Sequence, residues 1–233
     1  IVSVLSLVKK TSYKKSYEHW SEKLADKQKD LETHKGEKSA TQNANWVEWK
    51  YIENAKNELL EKLKEFCDNK LISNKQYKLL LQYIVLSLYT DIPPRRNRDY
   101  QEMYVIGNHT KKYEKLGNSN YLDYKNKQLI FNQYKTAKKY GKQIVGFKDN
   151  KSLEFALNCY LKHHPLRKRK ISRNTHFRLL VQRDGSPLQS VNSITRILNK
   201  ALGKNIGSSL LRHIYLTSKY KTINNEMEND AKD

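Results

Sequence analysis

An apolar helical pattern that two adjacent prolines interrupt constrains this chain more than any other feature of its sequence. Over residues 77–88 the large apolar side chains recur at helical spacing. Pro93 and Pro94 then end the pattern, because proline has no backbone N–H and a fixed φ. Arginines follow at once within residues 95–98. We expect them beside the end of a packed helix, where a guanidinium suits the two oxygens of a phosphate.

The charge of the chain favours a polyanionic partner. Its 233 residues carry 45 Lys and Arg against 24 Asp and Glu, a formal net charge of +21. Nucleic acid is the first candidate for such a partner. An anionic membrane is less favoured, because no stretch approaches the ~18 apolar residues that a span needs. We predict double-stranded DNA as the partner and no membrane association, with a basic protein that has no polyanionic partner as the alternative.

The cysteines indicate the cellular compartment of the chain, and its two ends indicate whether it is part of a longer protein. Cys67 and Cys159 are too few and too far apart for a disulfide framework or a zinc site, so each is predicted to be a core thiol. The chain is therefore expected to be intracellular, with no metal and no cofactor. It does not begin with Met, and residues 225–233 contain no helix stop signal. We expect it to be a piece of a longer protein.

Hydrophobic periodicity predicts a mainly α-helical chain with a small antiparallel β-sheet, an α+β fold. Residues 33–43 have no apolar period and are predicted to be a linker, which divides residues 1–44 from residues 45–233. The helices predicted beyond the linker have apolar faces at helical spacing and span residues 46–67, 74–89, 151–162, 190–202 and 210–220.

The strands are predicted from short runs of apolar and aromatic residues. Residues 103–147 contain the runs predicted to form the antiparallel sheet, with a hairpin turn at residues 125–127. Residues 177–181 are predicted to be one more strand. Ser73 is a suitable N-cap for the helix that begins at residue 74, and Gly203 is expected to end the helix over 190–202.

Three short motifs occur in a fixed order along the larger predicted domain. The first is Pro-Pro-Arg-Arg-Asn-Arg-Asp-Tyr over residues 93–100, the second is Asn-Gln-Tyr-Lys-Thr over residues 132–136, and the third is Ser-Leu-Leu-Arg-His over residues 209–213. Together they resemble the catalytic domain of the tyrosine recombinases, the phage-integrase family. In style the chain is similar to integrase-like proteins of large DNA viruses of protists and of virophages. The resemblance covers roughly residues 46–233.

The resemblance implies a role for the residues of the first and third motifs. Arg96 and Arg212 would bracket a phosphate, and Arg95 is the alternative for the first of these roles. Arg96 is preferred because Asp99 then stands three residues later, where the family has an acidic residue. Asp99 would orient a guanidinium rather than contact DNA.

The resemblance also implies roles in proton transfer for the second motif and for the rest of the third motif. Lys135 would be the general acid that protonates the leaving 5′ oxygen, with Lys138 as the next candidate. Ser209 stands where the family has its first His, and its hydroxyl could donate to a phosphate oxygen but could not act as a base at neutral pH. His213 is either a structural residue or a substitute base, since adjacent helical residues point about 100° apart.

The resemblance also implies how the chain would bind DNA. Residues 1–44 would be the end of a helical core-binding domain, the other arm of a clamp around the duplex. The candidates for contacts with DNA are named by charge alone and are Arg95, Lys138, Lys139, Arg167, Lys168 and Arg169, together with Lys14, Lys15, Lys111 and Lys112. Contacts of this kind make affinity fall steeply with salt.

The activity that the resemblance implies is the cutting and rejoining of DNA through a 3′-phosphotyrosine intermediate. Tyr215 and Tyr220 lie on the same predicted helix as Arg212 and are expected to be packing residues, so the nucleophilic Tyr is expected outside this chain. The full-length protein would work as a homo-tetramer on DNA, while this chain alone would be a monomer that binds DNA without cleaving it. A non-catalytic DNA-binding or architectural protein and a type IB topoisomerase remain alternatives.

Overall fold

The structure is a computed structural model, which describes residues 13–33, 38–107, 119–167, 176–190 and 192–230, together with Val2 and Leu5. The chain divides into two compact units, Ile1–Ala44 and Asn45–Asp233. The described part of the first unit contains helix α1 (Lys14–Thr33) and most of α2 (Ala40–Asn45). The prediction that all of residues 33–43 are a loop is therefore wrong for residues 40–43.

The described part of the second unit combines helices with one small sheet. Its helices are α3 (Trp49–Lys64), α4 (Asn74–Thr90), α5 (Asn97–Gln101), α6 (Ala137–Tyr140), α7 (Lys151–Lys162), α8 (Ser193–Leu202) and α9 (Ser208–Asp230). Its strands are β1 (Tyr104–Ile106), β2 (Tyr121–Asp123), β3 (Gln128–Phe131), β4 (Gln143–Gly146) and β5 (His176–Arg178). This composition is the α+β class that the sequence predicted.

The sheet is mixed rather than antiparallel, so that part of the fold prediction is wrong. Its strand order is β4-β3-β2-β1-β5, and β1 pairs with β2 in parallel, with Tyr104 opposite Tyr121. The other pairs are antiparallel. Parallel neighbours need a connection of about a dozen or more residues, and residues 107–120 provide one between β1 and β2. The sequence showed only the local hairpin turn at residues 125–127, which does join β2 to β3 as predicted.

Helix α4 is the central support of the second unit. It begins with the predicted cap, because the Ser73 hydroxyl accepts from the backbone N–H of Gln76 and the Gln76 side chain accepts from that of Ser73. The last turns of α4 are buried on nearly every side, from Tyr83 to Tyr89, and α4 packs against α3, α7, α8 and α9. A helix that is apolar all round belongs in the core. The end of α4 is therefore held in place by the core. The proline–arginine segment, residues 93–98, follows it in the chain.

Local features fix two further helix ends, and of these the end at Gly203 was predicted from the sequence. The Asn150 side chain caps α7 by accepting from the backbone N–H of Leu153 at 3.0 Å. Gly203 ends α8 in the left-handed conformation with φ of 63°, which glycine adopts without the penalty that a Cβ brings.

The two cysteines form a disulfide, so the prediction of core thiols is wrong in its chemistry. Cys67, beyond the end of α3, is bonded to Cys159 of α7 across 92 residues, with their Cα atoms 5.7 Å apart. Both residues are buried, as predicted. The pairing depends on how α3 and α7 pack, which their separation in the sequence does not reveal.

The described residues contain neither a candidate membrane span nor a candidate metal-binding cluster. None of the described helices is both long and apolar enough to cross a membrane. Within the described ranges, no group of three or more His, Cys, Asp or Glu side chains is arranged to hold a metal ion.

Candidate phosphate-binding site

The proline–arginine segment is held in place between α4 and the short helix α5. The Tyr100 hydroxyl donates to the backbone oxygen of Leu88 at 2.8 Å, which fastens α5 to the end of α4. Arg96 is the N-cap residue of α5, with extended backbone, and its side chain is exposed. Asp99 lies one turn later and is 94% buried, since only 6% of its surface is exposed. The segment therefore presents an exposed arginine above a buried carboxyl group.

Asp99 lies in the field of three arginines from two parts of the chain. Burial raises the pKa of the Asp99 carboxyl above its usual value. The charges of Arg95, Arg96 and Arg212 oppose this rise in pKa, as does a hydrogen bond with the Arg96 backbone. Arg212 comes from α9, more than a hundred residues later in the chain. The charge of Arg212 in the third motif therefore acts on Asp99 in the first motif.

The second motif faces Arg96 across an open cleft of about 410 Å³. The cleft is lined by Arg96, Arg98, Asp99, Glu102, Gln133, Tyr134 and Lys135. Lys135 stands in the turn between β3 and α6 and is exposed. Glu102 brings a carboxylate into the cleft, and Arg98 engages it in an ion pair of 3.1 Å. Arg96 and Lys135 are thus placed to act on the same anion.

Arg95 adjoins this cleft without lining it and packs against the sheet. Its guanidinium carbon lies 3.8 Å from the ring centre of Phe131 and 5.4 Å from that of Tyr134. One of its N–H groups donates to the Gln143 side chain of β4. These contacts hold a half-buried guanidinium on an aromatic surface. Arg95 was a candidate for a DNA contact and the alternative to Arg96, and its contacts are those of a residue that supports the segment.

The residues of the third motif lie at the start of α9. Arg212 is half-buried, and its Nε donates to the backbone oxygen of Ser208 at 3.3 Å. Ser209 and His213 are exposed, and neither lines the cleft that contains Arg96 and Lys135. Arg96, Asp99 and Lys135 therefore line one cleft, whereas Arg212, like Ser209 and His213, is not among its lining residues. Arg212 is linked to the cleft through the effect of its charge on the pKa of Asp99.

A hydrogen-bonded chain that the sequence did not reveal joins the first motif to α4 and α8. The Tyr89 hydroxyl, at the end of α4, donates to Asn97 Oδ1 at 2.8 Å. Asn97 Nδ2 donates to Thr195 Oγ1 of α8 at 3.0 Å. These contacts hold the start of α5, which follows Arg96, against α4 and α8.

A second buried amide, Asn120, joins the first and second motifs. It stands immediately before β2, with 3% of its surface exposed. Its side chain bonds to the backbone of Asp99 and to that of Asn132 and Gln133. The sequence held no signal for this residue, because a lone Asn beside a strand belongs to no motif and no hydrophobic period.

Of three described tyrosines near the first and third motifs, Tyr89 and Tyr215 pack within the fold, whereas Tyr220 is exposed and is not the packing residue that the sequence predicted. Burial raises the pKa of Tyr89 well above its ordinary value, so its phenolate is disfavoured. Tyr215 is half-buried and packs edge-on against Trp49, with ring centres 5.4 Å apart. Tyr220 is 44% exposed, two turns beyond Arg212 on α9. None of these three is placed as a nucleophile toward a phosphate in the cleft.

Among the other predicted DNA contacts, those that the structure describes do not line the cleft. Lys138 and Lys139 are exposed on α6, close in sequence to Lys135, and Lys14 and Lys15 are exposed on α1 of the first unit. Arg167 is half-buried. Lys111, Lys112, Lys168 and Arg169 lie outside the described residues.

A second basic cavity was not anticipated from the sequence. It lies between α4, α8 and residues 182–190, encloses about 590 Å³, and has an apolar floor that includes Leu81 and Ile197. Its cationic lining residues are Lys78, Arg183, Arg196 and Lys200, and no Asp or Glu is among the described residues that line it. These cations are spread over more than a hundred residues of sequence, so no basic run marks the cavity.

The comparisons with known proteins found no relative. No protein-family model matches the chain, no curated protein matches it, and no solved structure matches it.

Proposed function

We propose that this chain is the DNA-binding and phosphate-activating part of a tyrosine recombinase or integrase, an enzyme that cuts and rejoins double-stranded DNA. The observation that carries the proposal is one cleft lined by Arg96 and Lys135 above Asp99, whose carboxyl lies in the field of Arg212. The proposal is supported because residues of the first two motifs share this cleft and the charge of a residue from the third acts on Asp99. The net charge of +21 is consistent with a polyanionic substrate.

The geometry suits in-line attack of a tyrosine hydroxyl on a phosphodiester. Negative charge concentrates on the phosphate oxygens as the attacking oxygen approaches, and fixed cations lower the energy of that state. Arg96 and Arg212 provide such cations. The charges of both act on Asp99, the Tyr89–Asn97 bond holds the start of α5 beside Arg96, and the Arg212 side chain donates to the Ser208 backbone. Lys135 donates the proton that the leaving 5′ oxygen takes up.

The attacking tyrosine is supplied by a residue outside the 233 residues of this chain. Tyr89 is buried with its hydroxyl bonded to Asn97, and Tyr215 packs against Trp49. In this proposal the parent protein is the enzyme, acting as a homo-tetramer on DNA in the compartment where that DNA lies. The chain itself binds the duplex without cleaving it.

A non-catalytic DNA-binding protein on the same scaffold is the second candidate. It is favoured by the serine at position 209, which is exposed at the start of α9 where a recombinase would place a base. The two candidates differ in whether a covalent protein–DNA adduct forms.

Adduct formation by the full-length protein therefore tests the proposal. The protein is incubated with a randomised pool of nicked duplexes, and DNA that stays attached after denaturation is recovered and sequenced. We expect adducts with the wild type, and with Arg212→Ala a loss of about 10²–10³-fold in adduct rate with most binding retained. Normal adduct yield from Arg212→Ala would exclude the assignment of this site.

Arg183→Ala is the matched control for that variant. Arg183, like Arg212, donates to a backbone oxygen, that of Ile72 at 3.0 Å, but it lines the other basic cavity. It should change stability and leave the adduct rate per bound protein unaltered.

A further inference from the structure

We propose that Asn120 is a positioning residue that sets the general acid Lys135 in register with the Arg96–Asp99 turn. The inference rests on the proposed function and deepens it, because it concerns how the leaving group of that reaction receives its proton. Asn120 lies in none of the three motifs and lines the recess of about 100 Å³ that adjoins the cleft at Glu102 and Gln133.

The Asn120 side chain bonds to the turn that bears Lys135. Its Oδ1 accepts from the backbone N–H of Asn132 at 2.9 Å and from that of Gln133 at 2.8 Å. Its Nδ2 donates to the backbone oxygen of Gln133 at 2.8 Å. Lys135 follows only two residues after Gln133. The backbone that leads from β3 into the Lys135 turn is thus held from one side chain.

The same side chain also bonds to the helix that bears Arg96. Nδ2 uses its second hydrogen to donate to the backbone oxygen of Asp99 at 2.9 Å. The backbone of Asn120 is fixed in turn, because its carbonyl accepts from the N–H of Tyr104 at 2.9 Å. One amide therefore joins α5, the start of β2 and the end of β3.

The residue type matches this role closely. A side-chain amide offers two donor hydrogens and an oxygen that accepts two bonds, and in Asn120 all of these are used. Aspartate keeps the acceptor but lacks the donors, and leucine would leave the four backbone groups without partners in a buried site. Asn132 adds a second tie, since its Nδ2 donates to the backbone oxygen of Ser119 at 2.8 Å.

The consequence for the reaction is specific to proton transfer. The start of α5, next to Arg96, is also held by the Tyr89–Asn97–Thr195 contacts, which do not involve Asn120. The Lys135 turn has its side-chain ties at Asn120 and Asn132. Loss of the Asn120 amide is therefore expected to move the general acid more than the arginine, and a misplacement of about 1 Å can cost about 10²-fold in rate.

A leaving group that needs no proton separates this role from general damage. The full-length protein is given two duplexes with its adduct-forming site, one natural and one with sulfur in place of the scissile 5′ oxygen. A thiol ionises near pH 8.5, so a thiolate departs without a general acid. We expect Asn120→Ala to lower the rate of adduct formation about 10²-fold on the oxygen duplex and less than about threefold on the sulfur duplex, as Lys135→Ala should.

Two further variants separate the positioning role of Asn120 from a general loss of stability. Asn120→Asp keeps the acceptor toward Asn132 and Gln133 and is used if Asn120→Ala does not fold, with the same pattern expected. Asn150→Ala is the matched control. Asn150 is half-buried, and its side chain, like that of Asn120, accepts from a backbone N–H and donates to a backbone oxygen, that of Asp91 at 2.7 Å. It should affect stability without any difference between the two duplexes.

The outcomes are distinguishable. An equal loss on the oxygen and sulfur duplexes for both Asn120 variants would overturn the positioning role while leaving the proposed function intact. The absence of adducts from the wild type on any duplex would overturn the proposed function, and the positioning role with it. A defect restored by sulfur for the Asn120 variants and for Lys135→Ala, but not for Arg212→Ala, supports both.

Discussion

Arg95 and Arg96 are neighbours in sequence with different surroundings. Arg95 lies on the Phe131 ring and donates to Gln143, while the Arg96 side chain is exposed at the mouth of the cleft. The difference arises because Arg96 begins α5 with extended backbone, so the two side chains leave the chain in different directions. In the proposed function, Arg95 contributes to the stability of the fold and Arg96 contributes to the chemistry.

This division predicts opposite effects of two alanine substitutions. Arg95→Ala should lower the free energy of unfolding of this chain by about 1–2 kcal/mol, since it removes a cation–π contact and a hydrogen bond. Arg96→Ala should leave unfolding nearly unchanged and lower the adduct rate of the full-length protein by about 10²–10³-fold. Urea unfolding and adduct kinetics measure the two effects.

Lys162→Ala is the control for both measurements. Lys162 is exposed and forms a surface ion pair with Asp68, which is worth at most about 1 kcal/mol, and it does not line the cleft. A catalytic loss for Arg95→Ala with unaltered stability would reverse the two roles.

The sequence predicted the residues of the cleft only where a motif marked them. Arg96, Asp99 and Lys135 stand in short runs that resemble a known pattern, and they line one cleft. Arg212 stands in the third run, outside the lining of the cleft, and its charge acts on Asp99. Asn120 could not be predicted, because its role depends on bonds to backbone atoms that meet only after folding. His213 has a motif position and an exposed side chain outside the cleft, so motif and geometry do not always agree.

At the scale of elements, helices were predicted better than the sheet. The faces of α4, α7 and α8 depend on spacings of three and four residues, which are local. The parallel pairing of β1 with β2 and the bond between Cys67 and Cys159 depend on segments far apart in the chain. Such pairings follow from the packing of whole elements, and periodicity holds no information about them.

The junction between α7 and β5 contains a buried histidine that should make stability depend on pH. Burial lowers the pKa of His164 from 6.5 to about 4, while hydrogen bonds with the Leu179 and Arg178 backbones oppose the change. The unfolded chain thus takes up this proton more readily than the folded chain. The stability from neutral His164 is complete above pH 6.5 and is lost as the pH falls toward 4.

The expected loss is up to about 3 kcal/mol between those pH values. Substitution His164→Gln lowers stability at pH 7.5 but removes the titration, so its deficit relative to the wild type should shrink at pH 5. Phe177→Leu disturbs the ring that lies 4.6 Å from His164 and keeps the histidine, so its deficit should stay constant. Urea unfolding at the two pH values measures both, and parallel wild-type and His164→Gln curves would contradict the account.

At the scale of the whole molecule, the second unit is organised around the buried end of α4. The helix packs against α3, α7, α8 and α9, and the proline–arginine segment leaves from its last turn. Tyr100 returns to Leu88 of α4, and Tyr89 of α4 reaches Asn97. The cations of the candidate site are therefore supported from one core, although they come from three distant parts of the sequence.

In the proposed function, the support of these cations by the core serves the attack of a tyrosine on a DNA phosphate, and this is the central claim to test. The most direct test is the chemical structure of the link in the adduct of the full-length protein. Nuclease and protease digestion followed by mass spectrometry should find a tyrosine joined to a 3′ phosphate, with a free 5′ hydroxyl on the released strand. Cleavage without a covalent link, or a link to the 5′ end, would contradict the claim.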